Sequence, residues 1–379
     1  MVYLNQAATT WPKPQCVLDA HTAALYAPPA GQFRGGSGAC GDPAEACRAA
    51  LGRLLGVKST ERLIFSCGAT DSANALIAGL PLGGRRVLAT QTEHNSVLRP
   101  LLNLKGCAGR VDVVPCDAGG VVSPDAVEAM LREDAAAVFV NHCSNVTGAI
   151  QDLPAIAEIA HRHGALLVAD LAQSAGCVPV EADGWGLDAL LFTGHKALFG
   201  SQGTGGHWVR PGIPFKPHRY GGTGRDSRRL TYADGDYEFE PGTQNMPGIA
   251  ALRAGVGYVL ERGVDAVMAH ERVLMARLRE GLLAVPGIDV YGGDRAGMGP
   301  ALSFNIRGLS PADVAYILAG SYDIAVRAGL QCAPLIHRAI GTDGRGVVRA
   351  SVSDMNTEGD VDSLIRAARE IAASVEAAT

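Results

Sequence analysis

The sequence predicts an α/β protein: a mostly parallel central sheet flanked by helices, joined to a smaller α+β C-terminal domain. Three observations predict it. Short apolar runs alternate with amphipathic stretches through the middle of the chain, the βαβα rhythm of a parallel sheet covered on both faces. Capping residues punctuate the stretches between those runs. At 379 residues the chain also exceeds one typical core, so one large and one small domain are expected.

The elements follow in order. Leu63-Ile64-Phe65, Arg86 to Thr90, Val111 to Val114, Ala137 to Val140, Ala165 to Ala169 and Ala189 to Thr193 read as buried strands. A helix is expected over Ser72 to Leu80. Ser123-Pro124 opens another, with serine as N-cap and proline in the first turn. Asp152 opens a third, which carries Ile156 and Ile159 and stops at Gly164, the expected C-cap residue. A long helix from about Gly248 to Val259 leads out of the large domain, expected over 15–255. Residues 1–14 and 256–379 are assigned to the small domain. There Ala301 to Ile306 reads as a strand. The last helix begins near Glu358, with Val361, Leu364, Ile365 and Ile371 as its buried stripe.

Composition narrows the function classes. A hydrophobic content of 47% with 19% charged residues describes a well-packed soluble protein. The net charge of -5 gives no electrostatic footing for nucleic acid or an anionic membrane surface. No apolar run approaches the roughly 20 residues that span a bilayer. Met1-Val2-Tyr3-Leu4-Asn5 lacks the basic-then-apolar pattern of a cleaved signal. Nine cysteines without CxxC pairs argue against a disulfide framework and structural zinc, and no metal is expected. A reducing cytoplasm is the simplest setting.

The richest chemistry lies in Asp170-Leu171-Ala172-Gln173 and Thr193-Gly194-His195-Lys196. Each follows a probable-strand run, at the edge where open α/β sheets bind ligands. A lysine on a small-residue turn and an aspartate at a strand end can together hold pyridoxal phosphate (PLP). That cofactor needs a lysine amine for its Schiff base, a carboxylate facing its ring nitrogen and donors around its phosphate. Either residue alone reads equally well as an ordinary solvated side chain.

Three further segments fit the same cofactor. Ser66-Cys67-Gly68-Ala69-Thr70 runs from a strand into a helix, so free N–H groups and the helix dipole suit a phosphate there. Many strand-to-helix turns look the same. His94, in Thr92-Glu93-His94-Asn95, could stack on an aromatic ring and shuttle protons near neutrality, or be merely exposed. Asn145, in Ser144-Asn145-Val146-Thr147-Gly148, could donate to the ring oxygen or simply serve a turn.

Taken together, the chain resembles the cysteine desulfurase family of the class V aminotransferase fold, a PLP-dependent fold type I. Within it the chain is similar to the sulfur-mobilising and selenocysteine-lyase-like branch. The resemblance rests on matches spread along nearly the whole chain. They begin with Tyr3 to Thr10 and Arg34-Gly35-Gly36, and continue through Gly68-Ala69-Thr70, Glu93-His94-Asn95 and the Asn145, Asp170 and Lys196 segments. Glu240-Pro241-Gly242-Thr243, Ala325 to Gly329 with Cys332, and Val348-Arg349-Ala350-Ser351 complete them.

The resemblance implies a role for each matching position. Lys196 would carry the cofactor as a Schiff base, and Asp170 would pair with the protonated ring nitrogen. Gln173 and Asn145 would lie near the ring hydroxyl, with His94 stacked on the ring. Ala69, Thr70, Thr193 and His195 would hold the phosphate, helped by Thr243 from a second subunit, so a homodimer is implied. Arg349 would clamp the substrate carboxylate with its planar fork, with Arg327 close by and Asn145 also near the substrate. Cys332, between the two arginines in sequence, would take sulfur from L-cysteine as a persulfide, leaving L-alanine. A sulfur-acceptor protein would then empty it; iron–sulfur scaffolds, sulfur carriers and tRNA-modifying enzymes all draw on this chemistry. The other eight cysteines read as small buried residues.

Some features depart from the pattern or leave alternatives. Cys67 and Gln6 stand where other polar residues are common. The stretch from Ile336 to Gly346 looks extended, and His337 within it reads as an exposed loop histidine, or else as a second acid near the thiol. The same scaffold supports selenocysteine lyase, other C–S lyases, epimerases and aminotransferases, and L-selenocysteine differs from L-cysteine by one atom. A non-catalytic sulfur-handling scaffold is the alternative from another class.

Overall fold

The computed structural model describes residues 1–28, 42–131, 134–222, 228–233, 235, 237–293 and 298–378. Arg34-Gly35-Gly36 lie outside the described residues. The strands are β1 (Val2–Tyr3), β2 (Leu63–Ser66), β3 (Arg86–Thr90), β4 (Arg110–Val114), β5 (Ala135–Asn141), β6 (Leu166–Asp170) and β7 (Ala189–Thr193). They continue with β8 (Gly205–Val209), β9 (Ile288–Tyr291), β10 (Ala301–Ile306), β11 (Ile324–Ala325), β12 (Arg327–Gly329) and β13 (Val347–Ser351). The helices begin with α1 (Gln15–Tyr26), α2 (Pro43–Leu55), α3 (Ala69–Gly79), α4 (Asn95–Asn103), α5 (Pro124–Met130) and α6 (Leu153–Arg162). After them come α7 (Met246–Arg262), α8 (Val264–Leu283), α9 (Pro311–Tyr322), α10 (Ile336–Ala339) and α11 (Glu358–Ala378).

Seven strands form the central sheet in the order β2-β8-β7-β6-β5-β3-β4. The run from β7 through β4 is parallel, and β8 is antiparallel to both its neighbours. Every residue of β5 and β7 is buried, as expected for strands covered on both faces. Alternate residues feed two cores. Val138, Val140, Leu167, Leu190 and Phe192 pack with α2, α6 and α7 on one face. Ala137, Phe139, Val168, Ala189 and Leu191 pack with α3 and α4 on the other. At about 25 cal/mol per Å2 of buried apolar area, this double burial dominates the stability of the sheet.

The second sheet is antiparallel, in the order β12-β13-β10-β9, and β1 pairs in parallel with β11. Its core joins Leu302, Phe304, Val348 and Ala350 to α8, α9 and α11, including Val361, Leu364, Ile365 and Ile371.

Local signals were mostly placed correctly, with shifted ends. The helix expected from Ser72 starts at Ala69, because Gly68 (φ 145°) ends the strand turn sooner. Asp152 caps α6 by accepting from the Ala155 N–H at 3.1 Å. The helix stops at Arg162 with His163 as C-cap, and Gly164 follows with φ 66°. Ser123 stands at the N-cap of α5 but makes no side-chain capping bond. The helix expected from Gly248 to Val259 extends over Met246–Arg262. Among the described residues no helix is long and apolar enough to cross a membrane.

Candidate active site

The carboxyl ends of the parallel strands open into a cavity of about 820 Å3. Strand β6 ends in Asp170, and β7 ends in Thr193, the first residue of the lysine turn. The second sheet contributes Arg327 from β12 and Arg349 from β13, with Gln331 and Cys332 on the turn between them. Of the residues expected at a site, all line this one cavity except Thr243, which is exposed and away from it.

The Lys196 turn is held from behind. A side chain at Gly194 would meet Thr204 Oγ1 at 2.2 Å, so only glycine fits. The His195 carbonyl accepts from Thr10 N–H (3.1 Å), Thr9 Oγ1 (3.2 Å), Thr10 Oγ1 (3.1 Å) and Lys13 Nζ (2.9 Å). Thr10 Oγ1 also reaches the Lys196 carbonyl at 3.0 Å. The Thr9-Thr10 motif thus fixes the turn that aims the lysine. Burial, with Arg349 and Arg327 in support and Asp170 opposing, lowers the Lys196 amine to about 8.

Asp170 is buried, and its Oδ1 accepts from the Ala172 N–H at 2.8 Å. Burial raises its pKa, while the Ala172 N–H and the Lys196 charge lower it. His94 caps α4: its Nδ1 accepts from the Ser96 N–H at 3.0 Å and lies 2.8 Å from Ser96 Oγ. Burial first, then the charges of Lys196, Arg327 and Arg349, lower its pKa to about 4. That lies below the near-neutral value of an unperturbed histidine. His94 is a neutral imidazole whose Nδ1 is engaged as an acceptor, leaving the proton on Nε2.

Asn145 is anchored by its amide. Its Nδ2 donates to the Gln331 carbonyl at 2.7 Å, and its buried Oδ1 has no partner among the described residues. The amide keeps a second N–H besides the free acceptor oxygen. Gln173 is buried and donates from Nε2 to the Ala7 carbonyl at 3.0 Å. His195 has a buried, unpartnered Nδ1 and is lowered to about 4, chiefly by burial.

On the second sheet, Arg349 is 1% exposed. Its Nη1 donates to the Asn145 carbonyl (3.1 Å) and its Nη2 to Asn5 Oδ1 (3.0 Å), while the buried Nε lacks a partner. Burial first, then the Arg327 charge, lowers it to about 9. Arg327 Nη2 lies 3.5 Å from Cys332 Sγ, within donor range of the sulfur.

Gln331 and Cys332 both adopt left-handed backbone, at φ 52° and 57°. For non-glycine residues such conformations cost about 1–2 kcal/mol each and cluster at functional sites. Bonds clamp the turn. Asn95 N–H donates to the Cys332 carbonyl (2.7 Å), and Gln331 Nε2 reaches the carbonyls of Arg327, Gly329 and Val347. The sequence reading missed Gln331, Asn5 and Lys13. Only the unusual backbone of 331–332 would have exposed Gln331, and no sequence pattern encodes that.

Other expectations are corrected here. His337 is fully buried on α10, with Nδ1 2.7 Å from Thr342 Oγ1, and burial lowers its pKa. It is a core histidine, not an exposed loop residue. The cysteines are also more varied than expected. Cys47, Cys143 and Cys177 are buried, but Cys16 and Cys67 are exposed. Burial pushes the Cys47 and Cys143 thiols up to about 12. Gln6 is buried and spans from Trp11 N–H (2.9 Å) to Asn356 Oδ1 (3.0 Å), a structural brace.

The donor set suits PLP. The first turn of α3 has unpartnered N–H groups for a phosphate, the standard consequence of helix geometry. Orphaned His195 Nδ1 and Asn145 Oδ1 supply further polar atoms around a lysine and a buried carboxylate.

Comparison with known proteins points the same way. A protein of Methanothermobacter thermautotrophicus named "Probable cysteine desulfurase" is 33% identical over 381 residues, covering 98% of this chain and 94% of its own. The Salmonella agona protein named cysteine desulfurase is 30% identical, covering 96% and 92%. Among solved structures, the apo cysteine desulfurase from Thermococcus onnurineus has a TM-score of 0.88 at 28% identity, covering 98% and 95%. The Escherichia coli cysteine desulfurase CsdA gives 0.85 at 25% identity, with the same coverage. Residues 2–364 match the aminotransferase class-V family, and the chain belongs to that family of PLP-dependent enzymes.

Proposed function

We propose that this chain is a PLP-dependent cysteine desulfurase, which converts L-cysteine to L-alanine and takes the sulfur onto Cys332 as a persulfide. The observation that carries the reading is the placement of Cys332 Sγ 3.5 Å from Arg327 Nη2, on the cavity that also holds Lys196, Asp170 and Arg349. An aminotransferase or epimerase has no use for a thiol there.

Lys196 would bind the cofactor, with Asp170 serving its ring nitrogen and His94 its ring. Asn145 and Gln173 would serve the ring hydroxyl. Ala69, Thr70, Thr193 and His195 would hold the phosphate, completed by Thr243 of a second copy in a homodimer. When bound, PLP draws electron density from the substrate Cα. Arg349 binds the substrate carboxylate, and Lys196, near neutrality in pKa, accepts the Cα proton.

The Cys332 thiolate attacks the substrate sulfur. An S–S bond forms as the Cβ–S bond breaks, and the bonding pair stays with carbon, which takes up a proton as the methyl of L-alanine. The enzyme sulfur is oxidised to persulfide as that carbon is reduced, so no outside oxidant is required. A reducing cytoplasm keeps Cys332 a thiol, and an acceptor protein removes the sulfur. Residues 15–255 form the cofactor-binding domain; 1–14 with 256–379 form the domain carrying the arginines and Cys332.

The test is alanine and sulfide release from L-cysteine with a reductant, beside Cys332→Ala. Matched, Cys332-dependent release supports the reading. Turnover of L-selenocysteine alone, or sulfide release that ignores Cys332→Ala, sinks it.

A further inference from the structure

A second carboxyl lies behind the cavity, and the reaction outlined above leaves it unused. Glu93 is 0% exposed. Its Oε1 accepts from the Asn141 N–H at 2.5 Å and from Thr90 Oγ1 at 2.8 Å, while its buried Oε2 has no partner among the described residues. Asn141 is the register partner of Asp170 across β5 and β6, so three adjacent strand ends carry the two carboxyls, and the charge of Asp170 acts on Glu93.

The charges around those two carboxyls are unequal. From its own strand end Glu93 accepts from the neutral hydroxyl of Thr90, which lies 2.9 Å from that of Thr92; from β5 it meets the Asn141 amide. From β6 it faces the charge of Asp170. Among the described residues, the cation acting on that pair is the Lys196 ammonium, and it favours Asp170. An ionised Glu93 would therefore be a second buried carboxylate with no cation of its own, a costly state in a dry interior. Burial first, then the Asp170 charge, raises Glu93 to about 8, against the hydrogen bonds from Thr90 and Asn141.

We propose that Glu93 is a proton-bearing positioning residue: it stays neutral at Oε2 and so leaves Asp170 as the single negative charge behind the cofactor's ring nitrogen. The role of Asp170 in this statement rests on the cofactor reading above. Loss of the Glu93 proton at higher pH adds a second negative charge beside that nitrogen, and the cofactor's electronic state should register it.

Two measurements test this. The holoprotein absorbance is titrated without substrate across pH 8 for the wild type and Glu93→Gln, which preserves shape without the proton. The wild type should show a spectral step near pH 8; Glu93→Gln should match it below that pH and lack the step above. Coincident titrations would overturn the proposal, as would a Glu93→Gln spectrum already altered at neutral pH. A merely structural glutamate would change the melting temperature without removing the step.

The second measurement is the infrared difference between cofactor-free wild type and Glu93→Gln, both with carbon-13-labelled glutamate, so that the band of Glu271, whose carboxyl burial also raises, cancels. A protonated-carboxyl band present at neutral pH and lost above about pH 8 supports the proposal, and its absence at neutral pH overturns it. If PLP is never taken up while that band is present, the cofactor reading fails and the Glu93 proton stands.

Discussion

Arg327 and Arg349 stand directly opposite one another in the β12–β13 register, one partly exposed and the other 1% exposed. Like charges facing across an antiparallel pair are destabilising, and the pKa of Arg349, lowered chiefly by burial, is lowered further by the Arg327 charge. A carboxylate between or beside the two guanidiniums would relieve that conflict. Arg349→Lys should therefore raise KM for L-cysteine roughly 10- to 100-fold, the range of one lost charged hydrogen bond, with a smaller effect on kcat. Arg327→Gln should raise the melting temperature of substrate-free protein slightly, since relief of such a pair is worth about 0.2–1 kcal/mol, reduced by solvent screening. Steady-state kinetics and thermal melts check both; a lower melting temperature in Arg327→Gln counts against the repulsion.

Lys196 and Cys332 line one cavity but come from different sheets, so their losses should separate. Lys196→Ala should abolish the absorbance of the lysine-bound cofactor. Cys332→Ala should keep that absorbance and lose persulfide formation. Absorbance spectra and mass spectrometry of the intact chain read the two effects. A normal persulfide yield from Cys332→Ala would falsify the assignment of that thiol.

The strand-end logic was legible in the sequence because it depends on local pattern. Apolar runs ending in Asp170 and Thr193 locate both residues at the sheet edge before any tertiary contact is known. His94 was legible as a site residue but not in its charge state, which depends on burial beside Lys196 and two arginines distant in sequence. His337 was misread for the opposite reason. Its polar neighbours Arg338 and Gly341-Thr342-Asp343 suggest a surface loop, while tertiary packing buries the ring against Thr342. Gln331 was silent: its role lies in backbone angles and in carbonyls of three other residues, which composition and spacing do not specify.

The lowered pKa of Lys196 carries a kinetic consequence. Cofactor capture requires the neutral amine, and a shift from 10.5 to about 8 makes that form abundant at lower pH. The rate of PLP uptake by cofactor-free protein should therefore rise with pH and level off above about 8. Stopped-flow absorbance across the range decides it. A rate still climbing tenfold per pH unit well above that point would show that Lys196 titrates as an ordinary lysine. His94, already neutral above about 4, should add no step over the same range.

Holding two consecutive left-handed residues at 331 and 332 requires compensating bonds, and Gln331 Nε2 supplies contacts to three carbonyls. Gln331→Ala should remove them while retaining the unfavourable backbone angles. The turn should then relax away from Arg327, with a stability loss of about 1–3 kcal/mol. Rapid-quench measurement should find slower persulfide formation, with the cofactor spectrum unchanged because Asp170 ends β6 and Lys196 follows β7 of the other sheet. Gln331→Gly loses the same contacts but tolerates the positive φ, so it should fold more stably than Gln331→Ala. If the alanine variant forms persulfide at the wild-type rate, the clamp from Asn95 N–H and Asn145 Nδ2 alone suffices to present Cys332.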